Sequence, residues 1–155
     1  MTRGSRFWLT STNVNLPGFT IRRTGMKTTW LDIELPWPPS ELTPNGRCHW
    51  ARKARCVKVA RTDASYSTFV AKCKAGVKLD PKTIKAVFIS YMFCPPSRRK
   101  RDDDNLIAAM KPYRDGIAER LGVDDNCFRT VNTLFGSVHK GGRVLATLRI
   151  EHGDD

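Results

Sequence analysis

Residues Thr83 to Phe93 read Thr-Ile-Lys-Ala-Val-Phe-Ile-Ser-Tyr-Met-Phe, apolar on both faces of an extended chain. A run of that kind needs cover on each side, which predicts a central strand of a sheet rather than an edge strand. Cys94-Pro95-Pro96 ends it, because proline cannot donate to a strand ladder. Two further runs alternate. In Trp30 to Leu35, Leu31, Ile33 and Leu35 face one way and Asp32 and Glu34 the other. In Arg143 to Glu151, Val144, Ala146, Leu148 and Ile150 share one face. Both predict half-buried strands. Cys127 to Val138 reads as a strand with mixed faces. His139-Lys140-Gly141-Gly142 after it reads as a hairpin turn.

Two segments carry helical spacing. From His49 to Ala75, Trp50, Ala54 and Val57 recur at that spacing, as do Val59, Tyr66, Val70 and Cys73. Gly76 is a C-terminal stop. From Asp103 to Leu121, a core stripe of Leu106, Met110, Tyr113, Ile117 and Leu121 runs along one side. Asp104, Ala108, Lys111 and Asp115 lie on roughly the opposite side. Pro112 removes a hydrogen bond to the Ala108 carbonyl and predicts a kink. The order β-α-β-α-β-β predicts an α/β fold: a small single domain with a mixed sheet of about four strands and two main helices. A chain of 155 residues suits one such core.

Residues 1–29 differ from the rest. They hold Arg3, Arg6, Arg22, Arg23 and Lys27, and the first carboxylate is Asp32. They read as a flexible basic N-terminal extension touching nucleic acid. A transit-peptide likeness and a natural start at Met26 are the other readings. Residues 30–151 form the domain and 152–155 a tail. Pro36, Pro38 and Pro39 open a loop that closes on the turn dipeptide Asn45-Gly46.

There are 27 Lys and Arg against 15 Asp and Glu, a net charge of +12. Such an excess favours a polyanionic partner, nucleic acid ahead of an acidic protein, because the cations cluster. One cluster is the helix face of Arg52, Lys53, Arg55, Lys58 and Arg61, suited to phosphate contacts. The five cysteines are widely spaced and include no Cys-x-x-Cys, against both a disulfide framework and a structural zinc site. Free thiols fit a reducing cytoplasm. No apolar run is long enough to span a membrane, and no signal-peptide core is present.

The chemistry concentrates in residues 98–126. Arg98, Arg99, Lys100 and Arg101 run directly into Asp102, Asp103 and Asp104, and Asp124-Asp125 follows one helical segment later. Clustered carboxylates repel one another and need a cation between them. Asp102 and Asp104 can converge on one metal ion whether the chain there is extended or opens a helix, with Asp124 or Asp125 as a third ligand. Hard oxygen donors select Mg²⁺ or Mn²⁺ over zinc. Lys111 lies on the helix side of Asp104 and can position a water or stabilise transition-state charge. Taken singly, each acid is an ordinary helix-cap or turn residue. Combined with the basic run, they favour a metal-dependent nuclease over a passive binder.

Asp102-x-Asp104-Asn105-Leu106, then Asp115-Gly116, then Asp124-Asp125, resembles the RusA family of Holliday junction resolvases. The resemblance includes Leu35-Pro36-Trp37-Pro38-Pro39-Ser40, Pro95-Pro96 and Gly141-Gly142-Arg143, and spans residues 30–151. It implies a homodimeric endodeoxyribonuclease needing Mg²⁺, with Mn²⁺ able to substitute, that nicks opposing strands of a four-way junction in recombination and repair. It further implies Asp102, Asp104 and Asp125 as metal-binding catalytic acids, with Asp124 a less favoured substitute for Asp125. Arg98, Arg99, Lys100 and Arg101, with Arg52 and Lys53, would contact DNA. The family lysine, one turn after the second acid, falls on Ala108. Lys111 takes its role only through a three-residue insertion. The implied setting is the cytoplasm of a bacterial host, with a phage or prophage source. The alternatives are a non-catalytic nucleic-acid-binding phage regulator and a nuclease for other branched DNA.

Overall fold

The structure, a computed structural model, describes residues 27–153. Most of the N-terminal extension and the last two residues therefore lie outside the described residues. Four strands form one mixed sheet: β1 (Thr28–Pro36), β2 (Ile84–Cys94), β3 (Phe128–Phe135) and β4 (Arg143–His152), in the spatial order β1-β4-β2-β3. The helices are α1 (Trp50–Ala75), α2 (Asp103–Ala109) and α3 (Lys111–Leu121). The architecture is the expected small α/β domain. Its boundaries differ slightly, because Thr28 and Thr29 pair with Glu151 and Ile150, and β4 runs on to His152.

β2 takes the expected inner position, pairing with β4 antiparallel and with β3 parallel, but only one of its faces is covered: on the other, Phe88 and Ser90 are half-buried and Met92 is exposed. One side of the sheet is the core: Ile33 and Leu35 from β1, Val87, Ile89, Tyr91 and Phe93 from β2, and Val144, Ala146, Leu148 and Ile150 from β4 are all buried. Each of the larger side chains among them contributes roughly 1.5–3 kcal/mol by leaving water.

The expected hairpin between the last two strands is not formed. The turn itself is present, closed by Gly142 N–H to the His139 carbonyl at 2.8 Å. The strands it joins lie on opposite sides of β2. Residues 136–142 instead pass over the end of β2, with Gly136 N–H bonded to the Phe93 carbonyl and His139 N–H to the Pro95 carbonyl, both at 2.9 Å. The strands' different faces account for this. β4 buries every second residue and takes an inner position, whereas β3 is exposed along most of its length and takes an edge.

The helix expected over 103–121 is two helices. At Met110 the chain has φ −79° and ψ −7°, α2 ends, and Pro112 sits in the first turn of α3. Proline is tolerated there because its missing N–H would have no partner within the helix. The core stripe survives the break, with Leu106, Met110, Tyr113, Ile117 and Leu121 all buried.

The buried face of α1 is not the large-residue stripe. Trp50, Val59 and Tyr66 are exposed, and Ala60, Ala64, Thr68 and Ala71 face inward. Small side chains win because α3 approaches closely: a Cβ on Gly116 would stand 3.1 Å from Ala64 Cβ and overlap the Arg61 carbonyl. The Thr68 hydroxyl satisfies itself on the Ala64 carbonyl at 2.7 Å.

Candidate active site

The basic run leaves β2 as a fixed loop. The Arg101 guanidinium turns inward, donating to the Ser97 carbonyl (2.9 Å), the Arg99 carbonyl (2.7 Å) and Ser97 Oγ (3.0 Å). It also lies 5.2 Å from the centre of the Trp37 ring. Trp37 meets Phe93 edge to face at 6.1 Å, which ties the loop to the core. With Arg101 spent on the loop, Arg98, Arg99 and Lys100 are left exposed. They line, with Asp103 and Phe135, a concavity of about 400 Å³.

Asp102 caps α2. Its Oδ1 accepts the Asp104 N–H at 3.2 Å and its Oδ2 accepts Asn105 Nδ2 at 3.1 Å. Asp103 and Asp104 fill the first turn, where the helix dipole favours negative charge. Among the described residues the Asp104 carboxylate has no hydrogen bond or ion pair, so it faces solvent. Asn105 Oδ1 accepts from Asn45 Nδ2 at 3.4 Å, which joins the loop before α1 to this end of α2.

The break at Met110 makes Lys111 the first residue of α3. Its Nζ lies 3.6 Å from Asp115 Oδ1 and 3.7 Å from Asp125 Oδ2. Asp124 is occupied in capping the next turn, accepting the Asn126 N–H at 2.8 Å. Of the two neighbouring acids, Asp125 therefore faces the lysine. Asp115 is the residue that sequence reasoning passed over as a site member. Its Oδ1 is shielded from solvent and accepts no hydrogen bond. The four-residue spacing from Lys111 was the available signal. Asp115 also bears on Tyr91, whose phenol is pushed well above its ordinary range chiefly by burial, with Arg114 opposing and Asp115 adding.

The candidate residues thus form two groups, Asp102 with Asp104 at the start of α2, and Lys111 with Asp115 and Asp125 at the start of α3. Among the described residues no three His, Cys, Asp or Glu side chains stand together as a ready ligand set. The donors suit a hard divalent cation in chemistry, all being carboxylate oxygens, and the Asp115 oxygen has no hydrogen-bonding partner in the protein. On α1, Lys53 is exposed, but Arg52 is engaged by Glu41. The Glu41 carboxyl is held below its usual range first by a backbone N–H of its own turn and then by Arg52. A concavity of about 770 Å³ contains none of these acids; Asp32, Glu34, Tyr66, Val70, Met92 and Leu145 are among its lining residues. Among the described residues no helix is long and apolar enough to cross a membrane.

No protein-family model matches the chain. Solved structures overlap it loosely. Cyanuric acid hydrolase from A. caulinodans is 13% identical with a TM-score of 0.40, and the overlap takes in 82% of this chain and 40% of that one. The OmpA-like domain of FopA1 from Francisella tularensis is 12% identical with a TM-score of 0.35, over 82% of this chain and 77% of that one. A 2C-methyl-D-erythritol 2,4-cyclodiphosphate synthase from Plasmodium vivax is 11% identical with a TM-score of 0.32, over 84% and 97%. Nothing of their chemistry transfers at such distances. An uncharacterized protein of Xylella fastidiosa (strain Temecula1) is 40% identical over 118 residues, which is 75% of this chain and 74% of that protein. The chain belongs to the same family as that Xylella protein.

Proposed function

We propose that the protein is a metal-dependent endodeoxyribonuclease of the RusA type, which resolves four-way DNA junctions by paired nicks. The observation that carries the reading is the Lys111–Asp125 pair at 3.7 Å, because it joins two separate parts of the motif. Arg98, Arg99 and Lys100, held outward by Arg101, would grip the phosphates on either side of the scissile bond. Asp102, Asp104 and Asp125 would hold Mg²⁺ or Mn²⁺. Such an ion polarises a phosphoryl oxygen and lowers the pKa of a bound water. Lys111 would keep Asp115 and Asp125 from repelling each other and lend positive charge to the transition state. A homodimer would place two sites on opposing strands. The setting proposed is the cytoplasm of a bacterial host.

A second reading is supported by the net charge of +12 and by the run of cations without a carboxylate in residues 47–62. It is a non-catalytic nucleic-acid binder, whose binding would fall steeply with salt and ignore both Mg²⁺ and the aspartates. Cleavage of a synthetic four-way junction with and without Mg²⁺, by the natural chain and by Asp104→Asn, separates the two.

A further inference from the structure

Trp50 is 76% exposed, more than any other large apolar residue among those described. It opens α1, and among the described aromatic rings its indole neighbours that of His49, at 5.6 Å and an interplanar angle of 35°. The apolar residues of α1 that pack on the core begin at Cys56 and Val57, more than a turn beyond Trp50. A residue that buries so much apolar surface when covered gains nothing by standing in water. Its surroundings say what would cover it. Residues 47–62 hold Arg47, Arg52, Lys53, Arg55, Lys58 and Arg61 and no carboxylate; Arg52 pairs with Glu41 and Arg61 with Glu119, which leaves Arg47, Lys53, Arg55 and Lys58 for a partner. The loop that leads into this helix end is joined to the start of α2 by the Asn45–Asn105 hydrogen bond.

We propose that Trp50 is a stacking platform for an unstacked nucleobase, placed where the α1 cations hold the backbone of a single-stranded or branched DNA. A flat indole accepts any base on its face, and the cations track the phosphates on either side. A nucleic acid meets both features at once, with regularly spaced phosphates for the cations and a planar base beside each for the indole. The inference shares a polyanionic partner with the proposed nuclease but needs no metal and no cleavage. On the nuclease reading it supplies what distinguishes branched from linear DNA: a base free to leave its stack.

The test is binding without divalent metal, in EDTA, by fluorescence anisotropy. The full chain is compared with Trp50→Ala and Trp50→Phe on a labelled oligothymidine of about 12 residues and on a linear duplex of the same length. Circular dichroism confirms that the variants fold. The expected result is a loss of about tenfold or more on oligothymidine for Trp50→Ala, with duplex binding changed less than about twofold and Trp50→Phe close to the natural chain. Equal losses on both DNAs, no loss on either, or no oligothymidine binding by the natural chain each overturns the proposal. If the Trp50 dependence holds but no junction is cut under any metal, the nuclease reading falls and this one stands.

Discussion

Gly116 lies at the closest approach of α1 and α3, and replacing it with alanine tests the packing that fixes the candidate site. The added Cβ would overlap the Arg61 carbonyl oxygen and stand 3.0 Å from its carbon and 3.1 Å from Ala64 Cβ. The obstacle is helix backbone, which cannot rotate away, so the two helices must separate. Overpacking costs about 1–3 kcal/mol, and an overlap with fixed helix backbone belongs to the upper part of that range, about 2–3 kcal/mol. Alanine recovers up to about 1 kcal/mol through its helix propensity. The expected net is a destabilisation of about 1–2 kcal/mol, or a fall in Tm of about 2–8 °C for a domain of this size. Separation would also strain the Arg61–Glu119 pair at 2.8 Å and the Arg120 Nε to Ser65 carbonyl bond at 3.2 Å. Differential scanning calorimetry reads the result. An unchanged or raised Tm would refute the close-packing argument, because propensity alone would then decide the substitution.

Two further outcomes are expected. Lys111→Met leaves Asp115 and Asp125 facing each other without their cation; on the nuclease reading cleavage falls by about 100-fold or more, and cleavage at the natural rate would remove Lys111 from the mechanism. Burial raises the Tyr113 phenol from 10.0 to about 12, with Asp63 adding to it. The unfolded chain therefore releases this proton first, so stability is whole below pH 10 and falls as pH rises towards about 12. Urea midpoints across that range should show a shallower decline in Tyr113→Phe, and an equal decline in both proteins would discount the tyrosine.

The strands and the core stripe of the α2–α3 segment were legible because each depends on a short periodic pattern. Ile33 and Leu35, or Tyr113 and Ile117, are buried whichever neighbours surround them. Strand order was not legible. A glycine turn between consecutive strands ordinarily signals pairing, yet Gly141 and Gly142 serve a loop that crosses the end of β2. Only the competition between β3 and β4 for the inner position decides this. The α1 face was misread for a related reason. Large residues mark a core stripe where a helix lies on a sheet, but small ones mark it where two helices touch. In the candidate site, the residue types were readable and their division of labour was not. Arg101 reads as one more DNA-facing cation, but its three hydrogen bonds give it to the loop. Asp124 and Asp125 are indistinguishable by type until one of them caps a turn.

The central claim is a metal-dependent nuclease selective for branched DNA. The most direct measurement is the cleavage of a labelled four-way junction beside a linear duplex of matched sequence, with and without Mg²⁺. The account predicts paired nicks in the junction only with the metal, little cleavage of the duplex, and loss of cleavage with binding retained in Asp104→Asn. An intact junction under Mg²⁺ and Mn²⁺, or unchanged cleavage by Asp104→Asn, would contradict it.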